Sequence, residues 1–188
     1  MVVPAKVFFT RGSGVHRDKL VSFEMALREA GIARYNLVTV SSIMPPDAEI
    51  ISREEGLRYF SSGEIVYCVM ARAETNVPGQ RVAAAVGLAV PEIHQKQHGY
   101  LSEYHAVDVS GRECGEYAED IAATMLATIL DIPFDPETAW QEREQVYLAS
   151  GKIIQTSHIS ASAVCGSDGA WMTVVVAAVF VLPESNSA

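Results

Sequence analysis

The sequence has no long hydrophobic run. Apolar residues make up 49% of its 188 residues, yet their runs are short, and none approaches the ~20 residues that cross a bilayer. The N-terminus has no basic segment followed by an apolar one, so we expect no signal peptide, no membrane partner and a cytoplasmic location. Cationic residues are also few, and the formal net charge is −9. This charge disfavours a nucleic-acid partner and favours cationic small molecules, although many proteins are acidic only for solubility.

Common metal and cofactor motifs are missing as well. The three cysteines lie far apart with no CxxC pair, which argues against a disulfide framework or a zinc site and predicts buried thiols. His94, His98 and His105 are too unevenly spaced to predict a metal site, and no HExxH, phosphate-binding glycine loop or GxSxG motif is present. We therefore expect no metal. The cysteines are Cys68, Cys114 and Cys165.

The length and periodicity predict one α+β domain, residues 1–188, in which two helices cover β-sheet surface. One helix begins after Asp18 as N-cap and ends at Gly31, with Leu20, Phe23, Leu27 and Ala30 on one face. The second helix covers 116–130, and a short helix lies around 53–60. The stretch 11–14, Arg-Gly-Ser-Gly, is predicted to be a flexible turn. The predicted strands are 6–10, 37–40, 64–72, 82–90 (which also suits a helix), 100–107, 152–163 and 171–182.

The most informative feature is the Ser-Ser pair at positions 41 and 42. It follows an apolar strand pattern and precedes Pro45-Pro46, so the serines fall near a strand end. If this turn is strained, Ser42 Oγ can attack the carbonyl of Ser41 to give an ester. Elimination and hydrolysis then leave a pyruvoyl group at position 42. The alternative interpretation is an ordinary strand exit in which the hydroxyls satisfy local backbone groups.

A pyruvoyl group would give the chain an electron sink without any added cofactor. An amino acid that forms a Schiff base with the ketone can lose CO2, because the remaining electron pair is delocalised into the pyruvoyl amide. Such a decarboxylase also needs a general acid that is still protonated near neutral pH.

Three segments carry a resemblance to a known family. Residues 36–50 read Asn-Leu-Val-Thr-Val-Ser-Ser-Ile-Met-Pro-Pro-Asp-Ala-Glu-Ile, residues 23–32 read Phe-Glu-Met-Ala-Leu-Arg-Glu-Ala-Gly-Ile, and residues 99–104 read Gly-Tyr-Leu-Ser-Glu-Tyr. Their order and spacing closely resemble those of the pyruvoyl-dependent arginine decarboxylases, over most of the chain. The resemblance implies conversion of L-arginine to agmatine and CO2, for polyamine supply or acid resistance.

The resemblance also implies a structure and a processing event. The family folds as an αββα four-layer sandwich, assembles as a trimer or a dimer of trimers, and places each active site between neighbouring subunits. Cleavage between Ser41 and Ser42 would give a β chain, 1–41, and an α chain, 42–188, that begins with the pyruvoyl group.

Two further residues match the family's site. Glu103 matches its proton donor, although a lone glutamate in a strand more often faces solvent. Asn36 matches an asparagine that holds the reacting groups, and its amide could donate to the oxyanion of self-cleavage or to the substrate carboxylate. Alternatively, Asn36 caps its own turn.

Glu24 is where the sequence departs from the family. The family has an aspartate here that binds the guanidinium of arginine, and a glutamate keeps the charge on a longer side chain. Lysine or ornithine therefore remain alternative substrates. An ion pair of Glu24 with Arg28 is a purely structural alternative. An uncleaved, trimeric binding or structural protein is the alternative outside enzymes.

Overall fold

Two β-sheets form the centre of the computed structural model, which describes residues 3–91, 97–141, 146–149 and 152–183. Its helices are α1 (Lys19–Ala30), α2 (Arg53–Gly56), α3 (Gly111–Ile129) and α4 (Pro136–Ala139), with a 3₁₀ turn at Leu57–Tyr59. Its strands are β1 (Lys6–His16), β2 (Asn36–Thr39), β3 (Ile43–Met44), β4 (Glu49–Ile50), β5 (Ile65–Thr75), β6 (Arg81–Pro91), β7 (Gly99–Val107), β8 (Trp140–Gln141), β9 (Val146–Ala149), β10 (Lys152–Val164) and β11 (Trp171–Val181).

The strands are divided between a five-stranded sheet, in the order β2-β5-β11-β1-β4, and a six-stranded sheet, in the order β3-β7-β6-β10-β9-β8. One apolar cluster joins the two sheets, with Val69 and Val176 from the first and Val86 and Leu101 from the second. Helix α1 packs on the first sheet and α3 on β6, β7 and β10 of the second. The predicted α+β class is confirmed.

The prediction of a flexible turn at 11–14 is wrong, because strand β1 runs through this stretch to His16. Its glycines serve packing instead. A Cβ at Gly12 would lie 2.2 Å from the Ala26 carbonyl oxygen, and a Cβ at Gly14 would lie 2.2 Å from that of Ser22. Glycine therefore lets the backbone of α1 lie directly on the strand.

The predicted ends of α1 are confirmed. The side chain of Asp18 accepts hydrogen bonds from the N–H groups of Leu20 and Val21, and Gly31 ends the helix in the left-handed region at φ 82°. Leu20, expected on the buried face, is 70% exposed. The other three predicted residues, Phe23, Leu27 and Ala30, do pack into the apolar cluster of the first sheet. The fully buried positions of the helix are small residues that permit close approach, namely Ser22, Ala26 and Ala30.

Helix α3 begins five residues earlier than predicted, at Gly111 rather than Glu116. Ser110 and Glu113 form a reciprocal capping box, in which each side chain accepts a hydrogen bond from the other residue's backbone N–H. This start signal extends the helix beyond its apolar part. Residues 82–90, whose sequence suits a strand or a helix, form part of strand β6. Strands β3, β4, β8 and β9 and helix α4 were not predicted.

The cysteine prediction is confirmed, since all three thiols are buried and free. Burial raises the pKa of Cys68 and of Cys114 to about 11, so both thiols stay protonated and unreactive at neutral pH. Among the described residues, no helix is long and apolar enough to cross a membrane.

Candidate active site

The Ser-Ser pair lies where the chain crosses from one sheet to the other. Strand β2 is the edge of the five-stranded sheet and β3 is the edge of the six-stranded sheet. Backbone hydrogen bonds hold both sides of the crossing. The Val40 N–H donates to the Cys68 carbonyl at 3.0 Å, and the Leu101 N–H donates to the Ser42 carbonyl at 2.8 Å. The Ser41–Ser42 bond is therefore held between two fixed sheet edges.

The backbone turns tightly at Ser42. The Ile43 N–H donates to the carbonyl oxygen of Ser41 at 2.8 Å, which closes a turn of the i to i+2 kind around Ser42. The expected position at a strand end is confirmed. Neither Ser41 nor Ser42 adopts the strained left-handed backbone conformation. In the described chain, the non-glycine residues with positive φ are Asp47, Asp108 and Asp131.

Ser42 lies beside Glu103. Its Oγ donates a hydrogen bond to Glu103 Oε2 at 3.0 Å. The register of β3 against β7, with Ile43 opposite Tyr100 and Met44 opposite Gly99, sets Ser42 level with Leu101. Glu103 is two residues further along β7, so it lies on the same face of the sheet as Leu101. A carboxylate that accepts the hydroxyl proton has the geometry of a general base for an attacking serine.

The environment of this pair is partly open in the single chain. Ser42 is half-buried and Glu103 is exposed, whereas a proton donor for decarboxylation needs a site from which water is excluded. A cavity of about 500 Å³ lies next to Ser41. Its described lining is mainly apolar and contains no acidic residue that could bind a cationic side chain: Val3, Pro4, Val40, Ser41, Ile43, Pro45, Pro46, Tyr67, Phe180 and Leu182.

Asn36 and Glu24 are not brought to Ser42. The Asn36 amide donates to the Gly63 carbonyl at 2.6 Å, and Asn36 begins β2, roughly 10 Å before the strand ends at an ordinary rise per residue. Glu24 Oε1 instead accepts a hydrogen bond from Arg28 Nε at 2.6 Å on α1, and its side chain is 40% exposed. The ion pair between Glu24 and Arg28, which is the structural alternative to a substrate-binding role, is therefore present.

The histidines do not assemble a metal site in the part of the chain that the structure describes. No group of three or more His, Cys, Asp or Glu side chains there could hold a metal ion. His98 packs its ring against Tyr100 at 5.3 Å between centroids, and His94 lies outside the described residues.

Comparison with known proteins shows the family of this chain. The profile of the family described as pyruvoyl-dependent arginine decarboxylase matches residues 6–185. The chain belongs to this family. A relative named pyruvoyl-dependent arginine decarboxylase from Methanococcoides burtonii is 54% identical over 181 residues, which cover 96% of this chain and all of the relative. The resemblance inferred from the three sequence segments is confirmed.

Further relatives in the pyruvoyl-dependent arginine decarboxylase family come from two other organisms. One from Methanosarcina mazei, named pyruvoyl-dependent arginine decarboxylase 2, is 53% identical over 96% of this chain and 98% of its own length. One from Chlorobium limicola, named probable pyruvoyl-dependent arginine decarboxylase, is 55% identical over 94% of this chain and 97% of its own length.

The family name implies a covalent pyruvoyl group, and the residues at Ser42 fit one. The hydroxyl that would be converted has a carboxylate partner at 3.0 Å. The carbonyl of the same residue is fixed by the Leu101 N–H. Sequence reasoning missed the N–H groups of Ile43 and Leu101, because backbone donors leave no signal in residue identity.

Proposed function

We propose that this chain converts L-arginine to agmatine and CO2 with a pyruvoyl group made from its own Ser42. The observation that carries the proposal is the hydrogen bond of 3.0 Å from Ser42 Oγ to Glu103 Oε2, at a Ser-Ser bond in a chain of this family. The pair supplies an activated hydroxyl beside the carbonyl that it would attack. The chain is then a carboxy-lyase synthesised as a proenzyme.

In self-cleavage, Glu103 acts as the base. Its carboxylate takes the proton of Ser42 Oγ as the oxygen adds to the Ser41 carbonyl carbon, which converts the peptide bond into an ester. Loss of the α-proton of residue 42 then breaks the bond from Cβ to the ester oxygen, which releases the Ser41 carboxylate and leaves a dehydroalanine at position 42. Water hydrolyses this residue to the pyruvoyl group and ammonia is released. The products are the β chain, 1–41, and the α chain, 42–188, of one domain.

In decarboxylation, the same carboxyl group changes its role. The pyruvoyl ketone supplies the electron sink for the pair left by CO2. Because the ketone carbon derives from Ser42, Glu103 lies next to the reacting centre and, when protonated, donates to the carbon that has lost CO2. The Glu103 carboxyl group can therefore serve as the base in self-cleavage and as the acid in decarboxylation, because it acts without its proton in the first reaction and with it in the second.

The site is completed by a neighbouring subunit in this proposal. Within one chain Glu103 is exposed, the cavity beside Ser41 has no acidic lining, and neither Asn36 nor Glu24 reaches Ser42. A second copy packed on this edge would cover Glu103 and bring those two side chains from the other side. We therefore propose an αββα sandwich that assembles as a trimer or a dimer of trimers.

Apolar residues around the cleavage site support an interface here. Five apolar side chains, which lie on β2, β3 and β5 or in the link from β2 to β3, are 37% to 60% exposed in the single chain. Contiguous apolar exposure of this kind is typical of surfaces that bind protein. The five side chains are Val38, Val40, Ile43, Ile65 and Tyr67.

The substrate is proposed to be cationic because Glu24 is the family's guanidinium-binding position and the net charge is −9. In this proposal the substrate guanidinium displaces Arg28 from Glu24 and forms a forked, charge-assisted hydrogen bond. Arginine is the first choice. Lysine and ornithine remain the alternatives, since an ammonium group can also bind one carboxylate.

Intact mass spectrometry of the denatured protein, with no cofactor added, tests the proposal. We expect two chains separated between Ser41 and Ser42, with the longer chain carrying a pyruvoyl N-terminus. Ser42→Ala should remain one chain. Glu103→Gln should cleave roughly 10²- to 10⁴-fold more slowly, the usual contribution of a general base.

A neighbouring side chain gives the control for Glu103. His105→Gln, two residues further along β7, should cleave at the normal rate. If the unmodified chain stays whole after long incubation, the decarboxylase proposal fails and an uncleaved binding or structural protein replaces it. Release of CO2 from arginine, lysine and ornithine then identifies the substrate of the cleaved protein.

A further inference from the structure

The carbonyl that Ser42 would attack already has a hydrogen-bond donor. The Ile43 N–H donates to the oxygen of Ser41 at 2.8 Å. As the carbonyl carbon becomes tetrahedral, its oxygen gains negative charge, and donors at 2.7–3.1 Å from an oxyanion are those that stabilise it. The Ser41 oxygen thus has the kind of partner that self-cleavage requires.

The pairing of β3 with β7 explains why this N–H is available. Residues opposite each other in antiparallel strands alternate between hydrogen-bonded and non-hydrogen-bonded positions. The Leu101 N–H bonds the Ser42 carbonyl, so Ile43 and Tyr100, one step along, occupy a non-hydrogen-bonded position. The N–H of Ile43 therefore points away from β7 and towards the Ser41 carbonyl.

The side chain expected to supply this hydrogen bond is occupied elsewhere. The Asn36 amide, one candidate donor to the oxyanion, donates instead to the Gly63 carbonyl at 2.6 Å. Among the described contacts of Ser41, the hydrogen-bond donor to its carbonyl oxygen is the Ile43 N–H.

We propose that the backbone N–H of Ile43 is the oxyanion donor of self-cleavage, an inference that rests on the proposed function. Glu103 takes the Oγ proton while the Oγ–carbon bond forms and the carbonyl electron pair moves to the Ser41 oxygen, where Ile43 N–H holds it. The carbonyl then re-forms, the carbon–nitrogen bond breaks, and the Ser42 nitrogen takes up a proton. The step yields an ester and consumes no oxidant, reductant or cofactor.

Replacement of the Ile43 N–H by an ester oxygen tests the proposal. The α-hydroxy analogue of isoleucine at position 43, introduced by stop-codon suppression in cell-free translation, keeps the side chain and removes only the donor. We expect cleavage between Ser41 and Ser42, followed by intact mass, to slow by about 10²- to 10³-fold, the usual effect of losing one oxyanion donor. Hydrolysis of the new ester would release a 1–42 fragment, which mass distinguishes from 1–41.

The same ester at Met44 is the matched control. Met44 occupies a hydrogen-bonded position of the same short strand, so its ester removes a sheet hydrogen bond and leaves the Ser41 carbonyl untouched. It should cleave within a few-fold of the unmodified chain. Normal cleavage of the Ile43 ester, with a large loss in Asn36→Ala, would overturn the proposal in favour of the asparagine amide.

A structure of the uncleaved Ser42→Ala protein keeps the proposal falsifiable if the ester proteins do not fold. We expect the Ile43 nitrogen within about 3.2 Å of the Ser41 oxygen, the limit for such a bond. Another donor on that oxygen, with Ile43 N–H turned away, would overturn the proposal. If the unmodified chain is never cut, the proposed function fails first, and this inference fails with it.

Discussion

At the scale of single residues, the chemistry proposed here is concentrated in Glu103 and the backbone around Ser42. Glu103 and Ser42 meet because the two-residue strand β3 pairs with β7 in a fixed register. The sequence pointed to both residues, since serine and glutamate are chemically distinctive and stand in recognisable segments. It could not predict the turn made by the Ile43 N–H, because every residue except proline carries the same backbone donor.

Glu24 gives a prediction about substrate affinity. Glu24→Gln removes the negative charge and keeps the size of the side chain. We expect the KM for arginine to rise by roughly 10- to 100-fold, because hydrogen bonds to charged groups contribute about 1.5–3 kcal/mol. Self-cleavage, measured by intact mass, should be unchanged, since Glu24 takes no part in the proposed steps of cleavage. Steady-state release of CO2 measures the change in KM.

Helix α3 offers a matched control for Glu24. Glu116 accepts a hydrogen bond from Arg112 Nε at 2.6 Å, four residues apart, in the same arrangement as Glu24 with Arg28. Glu116→Gln therefore breaks an equivalent exposed ion pair and should leave the KM for arginine unchanged. An unchanged KM in Glu24→Gln as well would remove Glu24 from the substrate site. A gain in arginine activity with a loss on lysine or ornithine in Glu24→Asp would instead indicate that Glu24 alters the substrate.

At the scale of secondary-structure elements, the packing of α1 on β1 depends on two glycines. Gly14→Ala would place a Cβ 2.2 Å from the Ser22 carbonyl oxygen and 2.5 Å from the Ala26 nitrogen. Because both atoms belong to the helix backbone, the helix must move. We expect a loss of about 1–3 kcal/mol in the free energy of unfolding, as for other overpacked interiors, measured by denaturant unfolding.

The control for Gly14 is a glycine with room beside it. A Cβ at Gly166 would meet a single side-chain atom, Asp168 Oδ1, at 3.3 Å and no backbone atom within 4 Å, so Gly166→Ala should change stability by less than about 0.5 kcal/mol, as surface substitutions usually do. Equal stability of both variants would mean that α1 is not held closely against β1.

These glycines also show why some elements could not be predicted. A Gly-Ser-Gly stretch favours a turn by local preference, yet a strand forms here because the stretch pairs with β11, which is distant in sequence. The ends of α1 were predictable, since Asp18 and Gly31 act on adjacent backbone groups. Strand β3 was not, because two residues acquire strand geometry only by pairing with β7.

At the scale of the whole molecule, the separation of Glu24 from Ser42 within one chain gives the final prediction. If each site takes Ser42 from one subunit and Glu24 from its neighbour, mixed oligomers of Ser42→Ala and Glu24→Ala chains contain some intact sites. After random assembly around a ring, roughly a quarter of the sites should be intact. Each variant alone should be almost inactive at arginine concentrations well below the KM of the unmodified enzyme. Co-expressed chains, purified through two different tags, should recover arginine decarboxylation. Mixed oligomers that stay inactive, while a mixture of unmodified and Ser42→Ala chains is active, would place Glu24 and Ser42 in one subunit's site.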